Sequence, residues 1–182
     1  MSTEAPAPGS ARRCALLDAA YGYVLAHGLV DLSLRPLAAA IGTSPRVLLY
    51  LFESKDGLVQ AILGRARAEE LAALDSVRRV GESGGLPAAA RAIWAWLAAP
   101  EHRALLTLWV EGYGRALVEP DGPWAGFAAR TVHDWLAVLD DVGGGDDTDR
   151  TLLLAVLRGA LLDLLATGDV ARTSVAVTRF LS

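Results

Sequence analysis

Cysteine and histidine are scarce in this 182-residue chain, and each scarcity excludes a class of chemistry. Cys14 is the only cysteine, so no intrachain disulfide can form, which fits a reducing cytosol. The three histidines are scattered, and no metal-binding spacing such as HExxH occurs. We therefore expect no enzymatic activity, no catalytic residues, no metal and no cofactor, and a cytoplasmic location.

Positive charge is also in deficit. The 17 Lys and Arg residues stand against 21 Asp and Glu residues, a formal net charge of -4, and Lys55 is the only lysine. This balance argues against nucleic-acid binding through bulk charge, which usually shows as a strongly basic domain. Any contact with DNA must therefore come from a few placed residues.

Long hydrophobic runs are missing, although 53% of the residues are hydrophobic. The richest apolar stretch, residues 152–165, is interrupted by Arg158 and Asp163 and is too short and too charged to span a bilayer. Residues 1–10 are polar and rich in Pro and Ala, which predicts a disordered arm and no signal peptide. We expect no membrane partner, a large core and a surface shared between subunits.

Helical periodicity dominates, and no segment alternates between apolar and polar residues for long. The sequence predicts an all-α fold with a linker at 81–85 and helices over 11–27, 34–41, 45–51, 55–79, 87–99, a stretch to 118, 123–141, 151–166 and 171–181. The expected domains are the arm 1–10, a three-helix DNA-binding domain 11–54, and a ligand-binding and dimerisation domain 55–182.

The stretch from Leu34 to Lys55 is the informative motif, because its two short helices are joined by a tight turn at Gly42. Such a pair exposes its second helix, whose first turn can enter a major groove. Arg46 lies on that turn and can reach guanine edges. Arg35 and Lys55 begin the flanking helices, where phosphate is attracted. Arg12 and Arg13 on the arm are candidates for the backbone or the minor groove, or simple solubility charges.

Residues 29–63 resemble the DNA-binding domain of the TetR family of repressors. The resemblance is carried by Gly28, by LSLR at 32–35, by IGTS at 41–44 and above all by LLYLFESK at 48–55. It implies DNA contacts from Ser33, Arg35, Ser44, Pro45, Arg46, Tyr50 and Lys55. Leu49 departs from the family, which commonly has a phosphate-binding tyrosine there. Tyr50 either takes over part of that contact or packs against the first helix.

Two later helices carry more apolar surface than one core face needs, and the family resemblance implies a homodimer built from such a pair. The helix from Thr151 is apolar nearly all round and must be covered on every side. The alternative is a central helix buried within a monomer. The expected interface residues are Trp124, Phe127, Thr131, Trp135, Leu153, Leu157, Leu161 and Leu164.

Aromatic and polar residues between 65 and 133 suggest a mostly apolar pocket for an unknown small molecule. The candidate lining residues are Trp94, His102, Trp109, Glu111, Tyr113 and His133, for which plain core packing is the alternative. The resulting expectation is a repressor that releases operator double-stranded DNA when this effector changes the separation of the two DNA-binding domains of the dimer. The alternative function is a small-molecule-binding helical protein with weak or lost DNA binding.

Overall fold

The computed structural model describes residues 8–29 and 31–182, and within them the chain forms helices and no strand, so the predicted all-α fold is confirmed. A 3-10 turn, Pro100–His102, joins the fourth and fifth of the helices. The helices are α1 Pro8–His27, α2 Leu34–Ala40, α3 Pro45–Phe52, α4 Lys55–Ala98, α5 Arg103–Val118, α6 Phe127–Val142, α7 Asp147–Thr167 and α8 Val170–Phe180.

Capping residues fix several helix starts. The Ser44 hydroxyl accepts a hydrogen bond from the Val47 amide at 3.3 Å, and Ser54 does the same for Gly57 at 2.9 Å. Helix α7 starts four residues before the predicted Thr151, because Asp146 and Asp149 form a capping box that the sequence analysis overlooked.

Two further predicted helix starts are corrected by the structure. Helix α1 already begins at Pro8, so Arg12 and Arg13 lie within a helix and not on an arm. Residues 1–7 of the predicted arm lie outside the described residues. Helix α6 begins at Phe127, not at residue 123, because residues 120–126 form turns that end at Gly126 with φ 70°.

Helix α4 is broken at a single residue. Gly85 has φ 66° and ψ -168°, a conformation open mainly to glycine, and Pro87 follows it. The predicted linker over 81–85 is therefore a sharp break within one long element. Both parts of α4 are helical. The first reaches from the N-terminal unit of α1, α2 and α3, which we call the head, to this break, and the second from the break to Ala98. We call the helices that follow the head the body.

Two hydrophobic cores divide the molecule, and α4 contributes to both. The core of the head includes Leu58 and Ile62 of α4 packed with residues of α1, α2 and α3. The core of the body includes Leu74 and Val77 of α4 packed with α6, α7 and α8. Helix α4 therefore connects the two cores. In the described part of the chain, no helix combines the length and apolarity that a bilayer crossing requires.

The predicted dimer-interface residues belong to these cores. Their exposed fractions lie between 1% and 6% in the single chain, so they cannot form a surface for a partner subunit. The corrected residues are Trp124, Phe127, Thr131, Trp135, Leu153, Leu157, Leu161 and Leu164. The sequence analysis chose the wrong side of these helices, because α7 is apolar on nearly every side and periodicity alone does not identify its inner face.

Candidate DNA-binding and effector sites

Helices α2 and α3 form the two arms of a helix-turn-helix. Leu37, Ala38 and Leu48 are almost fully buried between α2, α3 and the rest of the head. The turn depends on Gly42, whose φ is 69°, and it is closed by a 2.8 Å hydrogen bond from the Thr43 amide to the Ala38 carbonyl. The packing leaves one side of α3 uncovered.

That uncovered side of α3 carries Arg46 and Tyr50, one helical turn apart. Arg46 is exposed, and Tyr50 is 84% exposed, so Tyr50 does not pack against α1. Leu49, beside them, is 41% exposed. A basic and a phenolic side chain thus project together from the element that can enter a groove.

The other predicted DNA contacts lie at helix starts. Ser33, Arg35, Ser44 and Lys55 are exposed at the first residues of α2, α3 and α4, and Pro45 is half-buried at the start of α3. Their neighbouring backbone amides attract phosphate.

Arg13 is not brought to these residues. Its Nε donates to the Leu51 carbonyl at 3.3 Å, and its guanidinium lies 4.8 Å from the centre of the Phe52 ring. Arg13 therefore ties α1 to the C-terminal end of α3, while Arg46 stands at the opposite end. Arg12 is exposed on α1.

Two water-sized internal cavities lie between α4, α5, α6 and α7, with volumes of about 10 and 20 Å³. Glu70, Leu106 and Trp109 line both cavities. Arg67 lines the first, and Trp135 and Arg158 line the second. This cluster is the candidate effector site.

Trp109 is the one predicted effector residue that lines these cavities. Trp94 is buried and donates to the Ser174 hydroxyl, and His102 stacks on Trp96 with ring centres 4.4 Å apart. Tyr113 lies beside Trp109, with ring centres 5.1 Å apart, but outside the cavity walls. The structure therefore places Trp94, His102 and Tyr113 in supporting packing.

Glu111 and His133 also lie away from the cavities. The single Leu29 N–H donates a bifurcated hydrogen bond to the two Glu111 carboxylate oxygens, at 3.0 and 3.2 Å, so Glu111 reaches the head. His133 is exposed on α6.

Sequence reasoning missed Glu70, Arg67 and Arg158, and it assigned Trp135 to the dimer interface. A signal was present on α4, where spacings of three or four residues separate Leu63, Ala66, Glu70, Leu74 and Val77. A carboxylate on such an apolar stripe is buried by the packing of its neighbours, and a buried charged group marks a functional candidate.

The Glu70 carboxylate is 7% exposed and accepts a 2.5 Å hydrogen bond from the Trp135 indole N–H. Burial raises the pKa of Glu70 to about 7, although the Trp135 bond and the nearby Arg67 act in the opposite direction. Arg67 itself pairs with Asp134, its Nη2 lying 2.5 Å from Oδ2. A carboxyl that titrates near neutrality thus sits at the centre of the candidate effector site.

Glu70→Gln is expected to remove a pH dependence of stability. The folded chain holds the Glu70 proton more tightly than the unfolded chain, whose pKa is near 4.5, so wild-type stability falls between about pH 4.5 and 7. Above that window the variant is more stable by up to about 3 kcal/mol, because it carries no buried charge. Urea unfolding across the window measures the difference. Glu101→Gln, at an exposed glutamate, is the control, and parallel curves for all three proteins would contradict the expectation.

An N-terminal helix-turn-helix with an exposed second helix, followed by a helical body with an internal polar cluster, is the architecture of helix-turn-helix regulators. Residues 16–62 match the family model described as bacterial regulatory proteins, tetR family. A TetR transcription regulator from Haloarcula marismortui ATCC 43049 superposes with a TM-score of 0.77 at 17% identity, over 93% of this chain and 94% of that one.

The multidrug binding protein EbrR is similar at 28% identity in two crystal structures. Its complex with imidazole has a TM-score of 0.71 over 93% of this chain and 89% of that one. Its complex with proflavin has a TM-score of 0.65 over 94% and 99%. Residues 16–62 thus match the tetR family of bacterial regulatory proteins, and the whole chain has the fold of TetR-family transcriptional regulators. No curated protein sequence matches the chain.

Proposed function

We propose that the protein is a homodimeric transcriptional regulator that binds operator DNA through α3 and is released by a small molecule bound in the body. The observation that carries this proposal is the exposed pair Arg46 and Tyr50 on α3, within the segment that matches the tetR family model. In this arrangement the arginine can contact base edges, which specify the sequence. The phenol can contact the DNA backbone, which fixes the register of the protein on the duplex.

A dimer follows from the small number of DNA contacts in one chain and from its net charge of -4. Two copies double the number of DNA contacts. The two heads of a dimer can then bind two operator half-sites that lie one helical turn apart. The surface that supports a dimer is the outer face of α7, which stays exposed in the single chain. Its members are Thr151, Leu152, Ala155, Gly159, Leu162 and Ala166, and we call them the outer α7 face.

The outer α7 face has the composition of a helix–helix contact. Leu152 and Leu162 are 52% and 50% exposed, unusually high for leucine on an otherwise buried helix. A Cβ added at Gly159 would meet nothing within 4 Å, so a partner helix can approach closely there. His133 and Ala137 of α6 are also exposed and extend the same candidate interface.

Helix α5 supports a route from effector to DNA. Trp109 lines the internal cavities, and Glu111, two residues later, holds the Leu29 amide of the head. Expansion of the cavities displaces α4 and α5, and both contact the head. A ligand that favours the displaced state then lowers DNA affinity by the same coupling free energy, typically about 1–3 kcal/mol.

Glu111→Ala is expected to loosen the head from the body. The Leu29 amide loses its acceptor, and an unsatisfied N–H costs about 1–3 kcal/mol of unfolding free energy. Hydrogen exchange of the peptide that contains Leu29 should quicken. Leu117→Ala, at an exposed site on the same helix, is the control. Unchanged exchange in both variants would show that this bond does not couple the two parts.

Binding of the full chain to the DNA upstream of its own coding region tests the proposed function. Fluorescence anisotropy at physiological ionic strength should show saturable binding at least about a thousandfold tighter than to a scrambled duplex of equal length. Footprinting should then show two half-sites about one helical turn apart. Equal binding to both duplexes would contradict the proposal and favour a ligand-binding protein without operator recognition, for which the exposed Leu49 is the supporting feature.

A further inference from the structure

The candidate effector site holds more hydrogen-bond donors than acceptors. Four buried nitrogen atoms have no hydrogen-bond partner among the described residues: Arg67 Nη1, Arg158 Nε, Arg158 Nη2 and Trp109 Nε1. All four belong to residues that line the two cavities. A buried donor without an acceptor costs about 1–3 kcal/mol, and more when it is charged. The site is therefore incomplete as it stands.

The two nearby carboxylates do not hydrogen-bond to these four nitrogen atoms. Asp134 accepts from Arg67 through Nη2, and Glu70 accepts from the Trp135 indole. Arg158 lies against two aromatic rings, 5.8 Å from the centre of Trp109 and 5.2 Å from that of Tyr113. A ring face attracts the guanidinium charge but does not satisfy N–H groups that point along the guanidinium plane.

Two guanidinium groups thus face the cavities with spare donors. Arg158 offers two of them, Nε and Nη2, in the fork geometry that matches a carboxylate. Protonation of Glu70, whose pKa is raised to about 7, adds a further donor and leaves the cluster more positive. The remaining walls are apolar and include Leu63, Leu105, Phe127, Leu154 and Leu161.

We propose that the effector is an organic anion, a carboxylate on a flat apolar body, with its carboxylate held by Arg158 and its body placed between Trp109 and the leucines. The proposal rests on the proposed function, since it names the ligand class of that same site.

The two cavities are too small for this ligand, so its binding requires the surrounding helices to move. At about 10 and 20 Å³ they hold a water molecule each, while sites for drug-sized ligands measure roughly 300 Å³ or more. The side chains shared by both cavities, Glu70, Leu106 and Trp109, separate them. A bound aromatic acid must move this partition and spread α4 from α5 and α7.

Three isosteric probes test the charge of the ligand: 2-naphthoate, 2-naphthylmethylammonium and neutral 2-naphthalenemethanol. Each is titrated into the full-length protein at neutral pH, and tryptophan fluorescence and the thermal midpoint are followed. We expect 2-naphthoate to bind at least about tenfold more tightly than the ammonium probe. Tighter binding of the ammonium probe would overturn the proposal in favour of a cation site at Glu70. Equal or absent binding of all three would overturn it as well, and would indicate that water molecules satisfy the free donors of Arg67, Arg158 and Trp109.

Variants of Arg158 separate charge recognition from packing. Arg158→Met should weaken 2-naphthoate binding by about tenfold or more and leave the neutral alcohol unchanged, while Arg158→Lys should retain part of the preference for the acid. Arg179→Met, at an exposed arginine on α8, is the matched control. Equal loss of both probes in Arg158→Met would assign Arg158 a packing role and contradict the proposal. The operator-binding measurement tests a separate claim. Probe binding without operator binding would contradict the proposed regulator function but not the proposed ligand class.

Discussion

Arg46→Ala is expected to weaken specific operator binding by at least about thirtyfold while leaving the fold and the proposed dimer intact. Arg46 is exposed on the first turn of α3, so its truncation removes no packing. A bidentate arginine–guanine pair contributes about 1–3 kcal/mol of discrimination, and a dimer has two such pairs. The loss is therefore about 2–6 kcal/mol, or at least roughly thirtyfold in affinity.

Anisotropy titrations on operator and scrambled DNA measure this loss, and the pattern across variants identifies its cause. Arg35→Ala, at the start of α2, should weaken binding to both duplexes and reduce the salt dependence, as expected of a phosphate contact. Arg79→Ala is the control, since Arg79 is exposed on α4 roughly 36 Å along the helix from Lys55. If Arg46→Ala binds the operator like wild type, α3 does not read the bases in the way proposed.

Leu162→Arg is expected to convert the dimer into a monomer and thereby to remove operator binding. Leu162 belongs to the outer α7 face and is 50% exposed in the single chain, so in the proposed dimer a partner subunit would supply its remaining cover. In a twofold interface each substitution acts twice, and covering the exposed half of each leucine contributes roughly half of the about 1.5–3 kcal/mol for full burial. Placing two like charges in the same contact adds to that loss.

Sedimentation equilibrium measures the dissociation constant, which should rise by about a hundredfold or more. Leu117→Arg is a matched control, because Leu117 is 67% exposed on α5 and lies outside the outer α7 face. Dissociation of Leu117→Arg with an intact Leu162→Arg dimer would place the interface elsewhere. Circular dichroism checks that both variants keep their helices.

The head could be predicted closely from the sequence because its signals are local. Ser44 and Ser54 cap the helices that begin at Pro45 and Lys55, and Gly42 has the positive φ that the turn requires. Such features depend on residues within one or two turns and are read directly. The exposed position of Arg46 follows from the same short-range pattern.

The body could not be predicted in the same way because its arrangement depends on distant contacts. Leu153 and Leu157 are buried while Leu152 and Leu162 are exposed, and nothing in a leucine-rich helix shows which side meets α4 and α6. The effector cluster unites Glu70 of α4, Trp109 of α5, Trp135 of α6 and Arg158 of α7. Only the packing of four helices brings such separated residues together.

The single cysteine of the sequence allows the distance between the two heads of the proposed dimer to be measured. Cys14 is exposed on α1, in the head, and the sequence holds no other cysteine. In a symmetric pair of subunits, a nitroxide attached there reports one distance, between the two heads, without any substitution. Double electron–electron resonance on the unaltered protein would then show whether an aromatic acid lengthens or shortens that distance.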